Sequence, residues 1–475
     1  MAIIAIDQGT SGTKALVLDG NKIISQGAAH VDVKHLADGR VECDPEEIWQ
    51  SIISCVSQAL PQEVLSKYPI EAVSLANQGE SILSWDQKSL QPKSPVIVWQ
   101  DARAGFLCDE RKEFNNYIRE ISGLENDPYF VAPKLRWLAD NSPNDVVITT
   151  LDTWLIAKFT GEFVTDISTA SRSMLLNLKT GAWDSELLSI WKLENHHLPK
   201  ILNNDEIVGE INSPELPFLK GIPLAGIIVD QAAALLAENC LEKGEAKCTY
   251  GTGAFLLSNI GDKAIISQNR LSTSFAWKIQ NSQRYYEDGQ VFTAASAVDW
   301  LIKNQILNSI EEIDSLPMNT NGVHALPGFA GYGAPRWQPQ GKAMITGLSL
   351  GSSREEIARA VLNGIAAQVT ELIQVMGRDG AAIKKIRVDG GLTKSKTLMQ
   401  FQADIAQVEL EVFPHPDATA VGAGILGRLA LNKSGSLADT IPIVNSDISY
   451  YPQWSKDQAE SFMNEWVSSN GSVKS

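Results

Sequence analysis

The sequence predicts a protein of the α/β class that folds as two domains. With 475 residues, the chain is too long for a single hydrophobic core. Apolar runs of strand length alternate with segments of helical periodicity, which is typical of layered α/β folds. An apolar strand, a turn rich in Gly and Thr, and a second apolar strand occur near residue 3 and again near residue 247. This weak internal repeat predicts two related halves, and we expect domains at residues 1–226 and 227–475.

The first half begins with a predicted hairpin that is followed by a helix. The segment from Asp7 to Thr13 is interpreted as a turn, because it is rich in Gly, Thr and Ser between two apolar stretches. A helix is expected after Asp44, since Asp is a favourable N-cap and Pro45 suits the first helical position. The predicted strands of this half are residues 2–6, 14–18, 22–29 and 72–76.

The second half repeats this plan. The apolar run 223–229 predicts a strand that ends at Asp230, and residues 232–238 predict a helix. A turn at residues 251–253 separates the predicted strands 246–250 and 254–260. A third Gly-rich turn, Asp389-Gly390-Gly391, follows the apolar run at 386–388.

Composition and charge narrow the function classes. The formal net charge of −16 argues against a general binder of nucleic acid or of an anionic membrane. No apolar run approaches the roughly 20 residues of a membrane helix, and the apolar start is interpreted as a buried strand rather than a signal peptide. The five cysteines and six histidines show no spacing typical of a disulfide framework or a zinc site. We therefore expect a cytoplasmic protein without nucleic-acid or membrane partners.

The two Gly- and Thr-rich turns are candidate phosphate sites. In the first, Asp7-Gln8-Gly9-Thr10-Ser11-Gly12-Thr13, the glycines would let backbone amides approach an anion, and Asp7 could hold a magnesium ion. Each turn taken alone is equally well explained as an ordinary hairpin turn. Two such turns in two halves favour a nucleotide held between the domains. The turn after Asp389 could then admit the base and ribose.

Two other nucleotide-binding motifs do not indicate a different site. The chain has no Gly-x4-Gly-Lys-Ser/Thr sequence, so a P-loop enzyme is not expected. Residues 422–427 match Gly-x-Gly-x-x-Gly, but their Ala-rich surroundings lack a preceding strand. We expect the tightly packed start of a helix there, with a dinucleotide site of a dehydrogenase as the alternative.

Two acidic residues follow predicted strand ends. Asp230 lies where ligands gather in α/β folds and is the candidate acid–base residue, and the alternative is a helix N-cap. Glu80 is a candidate acceptor of hydrogen bonds from substrate hydroxyls, and the alternative is an exposed loop acid.

In these segments the chain resembles the FGGY carbohydrate kinases over nearly its whole length, and within them the glycerol kinase branch. Each matching segment is short, but their number, order and spacing make the resemblance specific. The segments are Ile6-Asp7-Gln8-Gly9-Thr10, Ala76-Asn77-Gln78, Asp127-Pro128-Tyr129-Phe130, Ala170-Ser171-Arg172, Asp230-Gln231-Ala232-Ala233-Ala234-Leu235, Thr249-Tyr250-Gly251-Thr252-Gly253 and Val388-Asp389-Gly390-Gly391, with residues 97–101, 152–156, 165–166, 333–335 and 399–404.

The resemblance implies two actin-like ATPase domains of the ribonuclease H-like kind, with ATP and Mg²⁺ in the interdomain cleft. It implies that Asp230 is the general base and that Asp7 supports Mg²⁺. It also implies that Trp99 and Phe255 sandwich the carbon chain of the substrate. The implied substrate-binding residues are Gln78, Glu80, Trp99, Tyr129, Gln231 and Phe255, and the implied ATP-binding residues are Thr10, Ser11, Thr252, Gly253, Gly391 and Ser395.

Three positions depart from the glycerol kinase pattern. Gly79 stands where glycerol kinases carry an Arg, so a side chain with several donors is lost and space opens beside the substrate. This favours an acceptor that is larger than glycerol or differently oriented. On the nucleotide side, Ala295 replaces a Gly and Ser395 replaces an Asn, which concerns details of base binding.

The predicted activity is ATP-dependent phosphorylation of a hydroxyl on a small polyol or sugar. An alternative within the family is a pentulose or tetritol kinase, for example a xylulokinase-like enzyme. An alternative from another class is a nucleotide-dependent regulator on the same scaffold, without sugar chemistry. The expected partners are a small polyol or sugar and ATP, and assembly as a homodimer or homotetramer is left open.

Overall fold

The computed structural model describes residues 2–470, apart from 21, 37–38, 144, 339, 415–416, 433–434, 436 and 442–445. One of the six histidines, His415, lies outside these described residues. The strands are β1 (Ala2–Gln8), β2 (Gly12–Asp19), β3 (Lys22–His30), β4 (Lys34–His35), β5 (Val41–Cys43), β6 (Ile70–Asn77), β7 (Ile82–Trp85), β8 (Val96–Ile97), β9 (Val147–Thr150), β10 (Val164–Asp166), β11 (Leu176–Asn177), β12 (Ala182–Trp183), β13 (Lys200–Leu202), β14 (Ile207–Glu210), β15 (Pro223–Val229), β16 (Glu245–Tyr250), β17 (Ala254–Gly261), β18 (Ser272–Ile279), β19 (Ser282–Val291), β20 (His324–Leu326), β21 (Met344–Thr346), β22 (Lys385–Asp389), β23 (Glu409–Val412) and β24 (Ser449–Tyr450).

The helices in the described residues contribute to both halves of the chain. The α-helices are α1 (Pro45–Ala59), α2 (Gln62–Lys67), α3 (Gly105–Asp109), α4 (Asn115–Ser122), α5 (Val131–Asn141), α6 (Leu151–Thr160), α7 (Ile167–Ser171), α8 (Ser185–Ile190), α9 (Asp230–Ala237), α10 (Ala295–Lys303), α11 (Arg354–Arg378), α12 (Lys396–Ala406), α13 (Ala418–Leu431), α14 (Leu437–Thr440) and α15 (Lys456–Ser469). Short 3₁₀ helices occur at Lys112–Phe114, Pro217–Leu219, Ile310–Ser315 and Gly391–Lys394.

Two large sheets follow one plan, which confirms the predicted α/β class. The first has the order β14-β15-β6-β1-β2-β3, with β1, β6 and β15 parallel and β1-β2-β3 an antiparallel meander. The second has the order β18-β19-β17-β16-β22-β23-β24, with β16, β22 and β23 parallel and β16-β17-β19-β18 antiparallel. The predicted boundary between residues 226 and 227 falls within β15, and the division into domains at that point stays a prediction.

The first hairpin is longer than the sequence predicts. Asp7 pairs with Lys14 and Gln8 pairs with Thr13, so these residues lie in strands β1 and β2 and only residues 9–11 form the turn. The predicted turn at residues 7–13 was therefore too wide. Backbone pairing fixes the direction in which the side chain of Asp7 leaves the strand, so its carboxylate lies beside the turn.

Helix α1 begins as predicted and covers one face of the first sheet. The side chain of Asp44 accepts a hydrogen bond from the backbone N–H of Glu46 at 2.9 Å, which confirms Asp44 as the N-cap. Alternate residues of β1 point to opposite faces, so Ile4 and Ile6 pack in the cluster around α1, whereas Ala5 packs against α13.

Close packing explains the Gly-x-Gly-x-x-Gly match. Residues 422–427 lie inside α13, which packs against α9 and against β1, β6 and β15. A Cβ atom on Gly422 would clash with the backbone of Ala233 in α9, and a Cβ atom on Gly427 would clash with Ser74 in β6. The expected packed helix is confirmed, although the glycines lie in its interior rather than at its start.

In the part of the chain that the structure describes, no helix combines the length and the apolar character needed to cross a membrane. All five cysteines are buried and unpaired.

Candidate active site

Asp230 lies where the buried strand β15 meets α9. Val229 is the N-cap of α9, so Asp230 is the first helical residue and the N-cap alternative is wrong. One carboxylate oxygen accepts a hydrogen bond from the backbone N–H of Gln231 at 2.7 Å. Among the described residues, none donates to the second oxygen, so this half-buried carboxylate can still accept a proton or a hydrogen bond from a ligand.

Three carboxyl groups share this environment. Burial raises the pKa of Asp230 to about 7, and the negative charges of Glu80 and Asp7 add to the effect. Burial also raises the pKa of Asp7 to about 6, against the opposing charge of Lys14. Glu80 is only 6% exposed, so the alternative of an exposed loop acid is wrong. A carboxyl group that titrates near neutral pH is suited to accept a proton in a reaction.

The side chain of Trp99 connects the two Gly- and Thr-rich turns. Its Nε1–H donates to Oγ1 of Thr10 in the first turn at 2.9 Å. Its ring centroid lies 6.0 Å from that of Phe255, which follows the second turn by two residues. Turns from the two halves of the sequence are therefore close neighbours, as the hypothesis of one nucleotide site requires.

The second turn is fixed from behind by α10. Backbone N–H groups of residues 294–296 donate to the carbonyl oxygens of Gly251 and Thr252 at 2.8–3.2 Å. A Cβ atom on Gly253 would lie 2.6 Å from the carbonyl oxygen of Val291, so the turn cannot accept a larger residue there. Thr252 is exposed, and Ala295 is the first residue of α10. The turn is thus a rigid element with an open outer side.

The third Gly-rich turn lies directly beside the second. Gly390 has φ +95°, a conformation that favours glycine, and a Cβ atom there would clash with the backbone of Tyr250. The next residue, Gly391, is exposed, and a Cβ atom on it would meet no atom within 4 Å. Bare backbone is therefore presented next to the second turn, where a flat base and its ribose could lie.

Ser395, an ATP-binding residue by the resemblance, caps a helix in the structure. Its hydroxyl accepts from the backbone N–H of Leu398 at 3.2 Å and donates to Oδ1 of Asp314 at 2.6 Å. Ser395 is the N-cap of α12 and is 8% exposed. These contacts show that Ser395 caps the helix, and its contact with ATP stays a prediction.

Three aromatic rings form one wall of the site. The Trp99 ring contacts the rings of Tyr129 and Phe255, with centroids 5.6 and 6.0 Å apart. The planes of Trp99 and Phe255 are inclined by 82°, so the two rings meet edge to face. In this structure they form a continuous apolar surface and not the two parallel faces that a sandwich around a carbon chain needs.

Arg172 connects Glu80 to the second large sheet. Its Nε–H donates to Glu80 at 2.5 Å, and one Nη donates to Asp288 at 2.8 Å and to Ser274 at 3.1 Å. The side chains of Arg172, Glu80 and Asp288 are 4–7% exposed, so the charges are almost fully removed from water. The surrounding charges hold the pKa of Arg172 well above its usual range. Three rings lie within 6.0 Å of the guanidinium carbon: Tyr129, Phe130 and Tyr286.

The two glutamines differ in their surroundings. Gln78 is 1% exposed, donates to Gln8 and to the Gly9 carbonyl, and accepts from Ser81. These bonds indicate that Gln78 supports the first turn, and its contact with the substrate stays a prediction. Gln231 follows Asp230 and is only partly buried, so one side of its amide can reach a ligand.

The residues around Asp230 fit a magnesium ion that is held with ATP. The charge of Asp7 disfavours ionisation of Asp230, and a bound cation would oppose that effect. Mg²⁺ is usually held by one or two carboxylates together with water and substrate phosphates. The described residues contain no group of three or more acidic, His or Cys side chains able to hold a metal without such phosphates.

The sequence pattern missed three functional candidates. Arg172 belongs to a segment that matches the family but has no role assigned by the sequence, and no sequence motif includes Asp288 or Lys247. Arg172 is a charged residue in an otherwise small and polar segment, Ala170-Ser171-Arg172, which could have marked it. Lys247 lies in the predicted strand 246–250, where a charge needs a buried partner, but the sequence does not identify that partner. Asp288 lies in a polar segment of β19 that has no strand signal in the sequence.

Comparison with known proteins gives a consistent result over the whole chain. Models of the N-terminal and C-terminal domains of the FGGY family of carbohydrate kinases match residues 2–237 and 246–431. A glycerol kinase of Alkalilimnicola ehrlichii is 38% identical, with 98% of this chain and 97% of the relative covered. A glycerol kinase of Acinetobacter baylyi is 36% identical with the same coverage.

Solved structures agree with these relatives. The structure of Plasmodium falciparum glycerol kinase with ADP has a TM-score of 0.91 and 32% sequence identity, covering 98% of this chain and 96% of that one. A gluconate kinase from Lactobacillus acidophilus has a TM-score of 0.87, 22% identity and the same coverage, and it shows similarity of fold alone.

Proposed function

Because the chain belongs to the FGGY family of carbohydrate kinases, we propose how its residues phosphorylate a small polyol with ATP. The protein is a sugar or polyol kinase with the two-domain fold of that family, which confirms the predicted activity and fold. The alternative of a regulator without sugar chemistry is not retained. The acceptor that we propose is a glycerol-like polyol.

The central step is transfer of the γ-phosphoryl group to an acceptor hydroxyl that Asp230 orients. The observation that carries this proposal is the position of Asp230, a half-buried carboxylate beside Asp7 and Glu80 with its pKa raised to about 7. Asp230 accepts the hydroxyl proton as the oxygen attacks phosphorus. Positioning and charge stabilisation dominate phosphoryl transfer, so a single base is sufficient.

The acceptor lies against the aromatic wall of Trp99, Tyr129 and Phe255. The apolar faces pack on C–H groups, while Glu80 and Gln231 take hydroxyls on the polar side. The buried contact with Arg172 holds Glu80 in place, so this carboxylate is pre-oriented before the acceptor binds. The wall also excludes water, which competes for the phosphoryl group.

ATP lies between the two turns, with the backbone of residues 9–11 and 251–253 against its phosphates. Thr10, Ser11, Thr252 and Gly253 line these phosphates, and Gly391 borders the adenosine. When Mg²⁺ is bound, it offsets the negative charge of the phosphates, and Asp7 would hold it directly or through water.

We place the enzyme in the cytoplasm, where ATP is available. Light scattering would distinguish the homodimer from the homotetramer.

A larger acceptor, such as a tetritol or a pentulose, is the second candidate function. The observation that favours it is the missing side chain at Gly79, which adjoins Glu80. Turnover of glycerol, erythritol, xylulose and ribulose, followed by ADP release, distinguishes the two candidates.

Asp230→Asn tests the proposed function. Asn keeps the shape of the side chain but cannot accept a proton, so we expect phosphoryl transfer to fall by roughly 10²–10⁴-fold. Nucleotide affinity should change little, as measured by calorimetry with ADP. Asp140→Asn, which removes a surface carboxylate paired with Arg136, is the matched control and should keep full activity. A near-normal rate in Asp230→Asn would show that another group is the base.

A further inference from the structure

Lys247 lies beneath the acceptor site and contacts one of its residues. It is on β16, is 1% exposed and points toward α9. Its ammonium group donates to Oε1 of Gln231 at 2.8 Å and to Oγ1 of Thr249 at 2.9 Å. A buried lysine therefore connects the first turn of α9 to the strand that leads into the second phosphate turn.

Acidic side chains lie around Lys247. Glu238 at the end of α9 and Asp389 at the end of β22 are its acidic neighbours. Both carboxylate oxygens of Glu238 and one of Asp389 are buried without a hydrogen-bond partner among the described residues. Burial and the charge of Asp389 raise the pKa of Glu238 well above its ordinary value. The positive charges of Lys247 and of Arg387, its neighbour on β22, oppose this rise.

The contact with Lys247 fixes which end of the Gln231 amide faces the ligand. An amide side chain has an acceptor oxygen and a donor NH₂ group, and the two ends exchange when the amide rotates. Rotation would place the NH₂ group against an ammonium group, which is also a donor, and would lose the 2.8 Å bond. The oxygen therefore stays on Lys247, and the two N–H donors of Gln231 remain for the acceptor.

We propose that Lys247 is a positioning residue for the acceptor, which holds the Gln231 amide so that Nε2 donates to a hydroxyl oxygen of the polyol. This inference rests on the proposed function, because it takes Gln231 as a contact of the acceptor. Asp230 and Gln231 are consecutive residues of α9. The Asp230 carboxylate accepts a hydrogen bond from one hydroxyl of the polyol, while the Gln231 amide donates a hydrogen bond to another. This pair recognises an acceptor with two neighbouring hydroxyl groups.

Lys247→Met tests the proposal, since Met keeps the length of the side chain without a donor. We expect KM for the best acceptor among glycerol, erythritol, xylulose and ribulose to rise about tenfold. KM for ATP should stay within about threefold of the wild-type value, because Lys247 does not contact Thr252 or Gly253, which line the phosphates. Lys247→Gln keeps an N–H donor without the charge and should recover part of the acceptor affinity. Lys243→Met, at an exposed lysine of the same segment, is the matched control and should leave both constants unchanged.

A double-mutant cycle separates positioning from general support. If Lys247 acts through Gln231, the variant with both Lys247→Met and Gln231→Met should have the acceptor KM of Gln231→Met alone. Multiplied effects of the two substitutions would overturn the proposal. An unchanged acceptor KM in Lys247→Met, or an equal rise in KM for ATP, would overturn it as well.

Turnover by the wild-type enzyme tests the proposed function separately from the role of Lys247. If the wild-type enzyme phosphorylates none of the four acceptors, the proposed acceptor class is wrong. Crystal structures of the wild-type and Lys247→Met proteins then decide the positioning role. A rotated or disordered Gln231 side chain in the variant supports it, and an unchanged side chain overturns it.

Discussion

Among single residues, Glu80 shows most clearly how the acceptor site is held. Its φ of +54° lies in the left-handed region, which costs a non-glycine residue roughly 1 kcal/mol or more. The buried contact with Arg172 opposes this cost, and Arg172 is in turn held by Asp288 on the second sheet. Glu80 is therefore held by Arg172, which a residue of the second half holds in turn, so the Glu80 carboxylate does not have to be ordered by the ligand.

Gly79→Arg tests what the open space beside Glu80 does. A Cβ atom at this position would meet only Cγ2 of Val229, at 3.0 Å, and the backbone is not in the left-handed region, so a larger residue needs only a small shift. The added guanidinium supplies donors for a short polyol, so we expect KM for glycerol to fall severalfold while turnover of a pentulose declines. Steady-state kinetics with both acceptors measures this.

Gly79→Ala is the control for Gly79→Arg, because it adds bulk without donors and should not improve glycerol binding. If Gly79→Arg gives no gain with glycerol, another residue already occupies the role of the missing Arg.

The roles of individual residues were predicted where local sequence determines them. The positions of Asp230 and of both turns follow from strand ends and glycine spacing, which are local properties. The hydroxyl of Ser395 and the amide of Gln78 have partners that only the folded chain brings near, Asp314 and Gln8. Arg172 and Asp288 are likewise far apart in sequence, so no local pattern could predict their ion pair.

At the scale of elements, strand β19 contains a carboxyl group that is unfavourable to bury. Glu287 lies opposite Ser258 of β17, and both of its oxygens lack a hydrogen-bond partner among the described residues. Burial, with the charges of Asp379 and Asp288, raises its pKa to about 9. The folded state therefore keeps this proton in a pH range where the unfolded chain, with an ordinary pKa near 4.5, has lost it.

Glu287→Gln should stabilise the protein increasingly as the pH rises. Because the folded state binds more protons than the unfolded state between about pH 4.5 and 9, wild-type stability falls with pH across this window. Gln stays neutral, so the variant loses this dependence and should gain up to roughly 5 kcal/mol near pH 8, with little gain near pH 4.5. Thermal unfolding of both proteins from pH 5 to 9 measures it. A Tm difference that does not depend on pH would show that Glu287 is ionised in the fold.

Most large elements could be predicted from periodicity and capping, and the smaller ones could not. Strand β15 has the predicted bounds, and α1 begins at the predicted cap, because long apolar runs and N-caps are strong local signals. The two-residue strands β4, β8, β11, β12 and β24 are too short to show a periodic pattern and have no such signal. The first hairpin was predicted with too wide a turn, since Asp7 and Gln8 pair despite their polar side chains.

For the whole molecule, the repeat of a strand, a turn and a strand correctly predicted two sheets of one plan. The sequence could not show how the halves meet. Three contacts join the two halves. Trp99 connects the two turns, and Arg172 connects Glu80 to β19. Helix α13 packs on the first sheet and on α9. The proposed site lies where these contacts converge, so its candidate residues come from both halves.

The central claim is that Asp230 faces an acceptor hydroxyl across from a triphosphate held by the two turns. A crystal structure with Mg²⁺, a non-hydrolysable ATP analogue and the best acceptor tests it most directly. We predict an oxygen of Asp230 at about 2.6–3.2 Å from an acceptor hydroxyl, with the γ-phosphate between residues 9–11 and 251–253. A nucleotide bound away from either turn, or an Asp230 carboxylate directed away from the acceptor, would contradict the proposed mechanism.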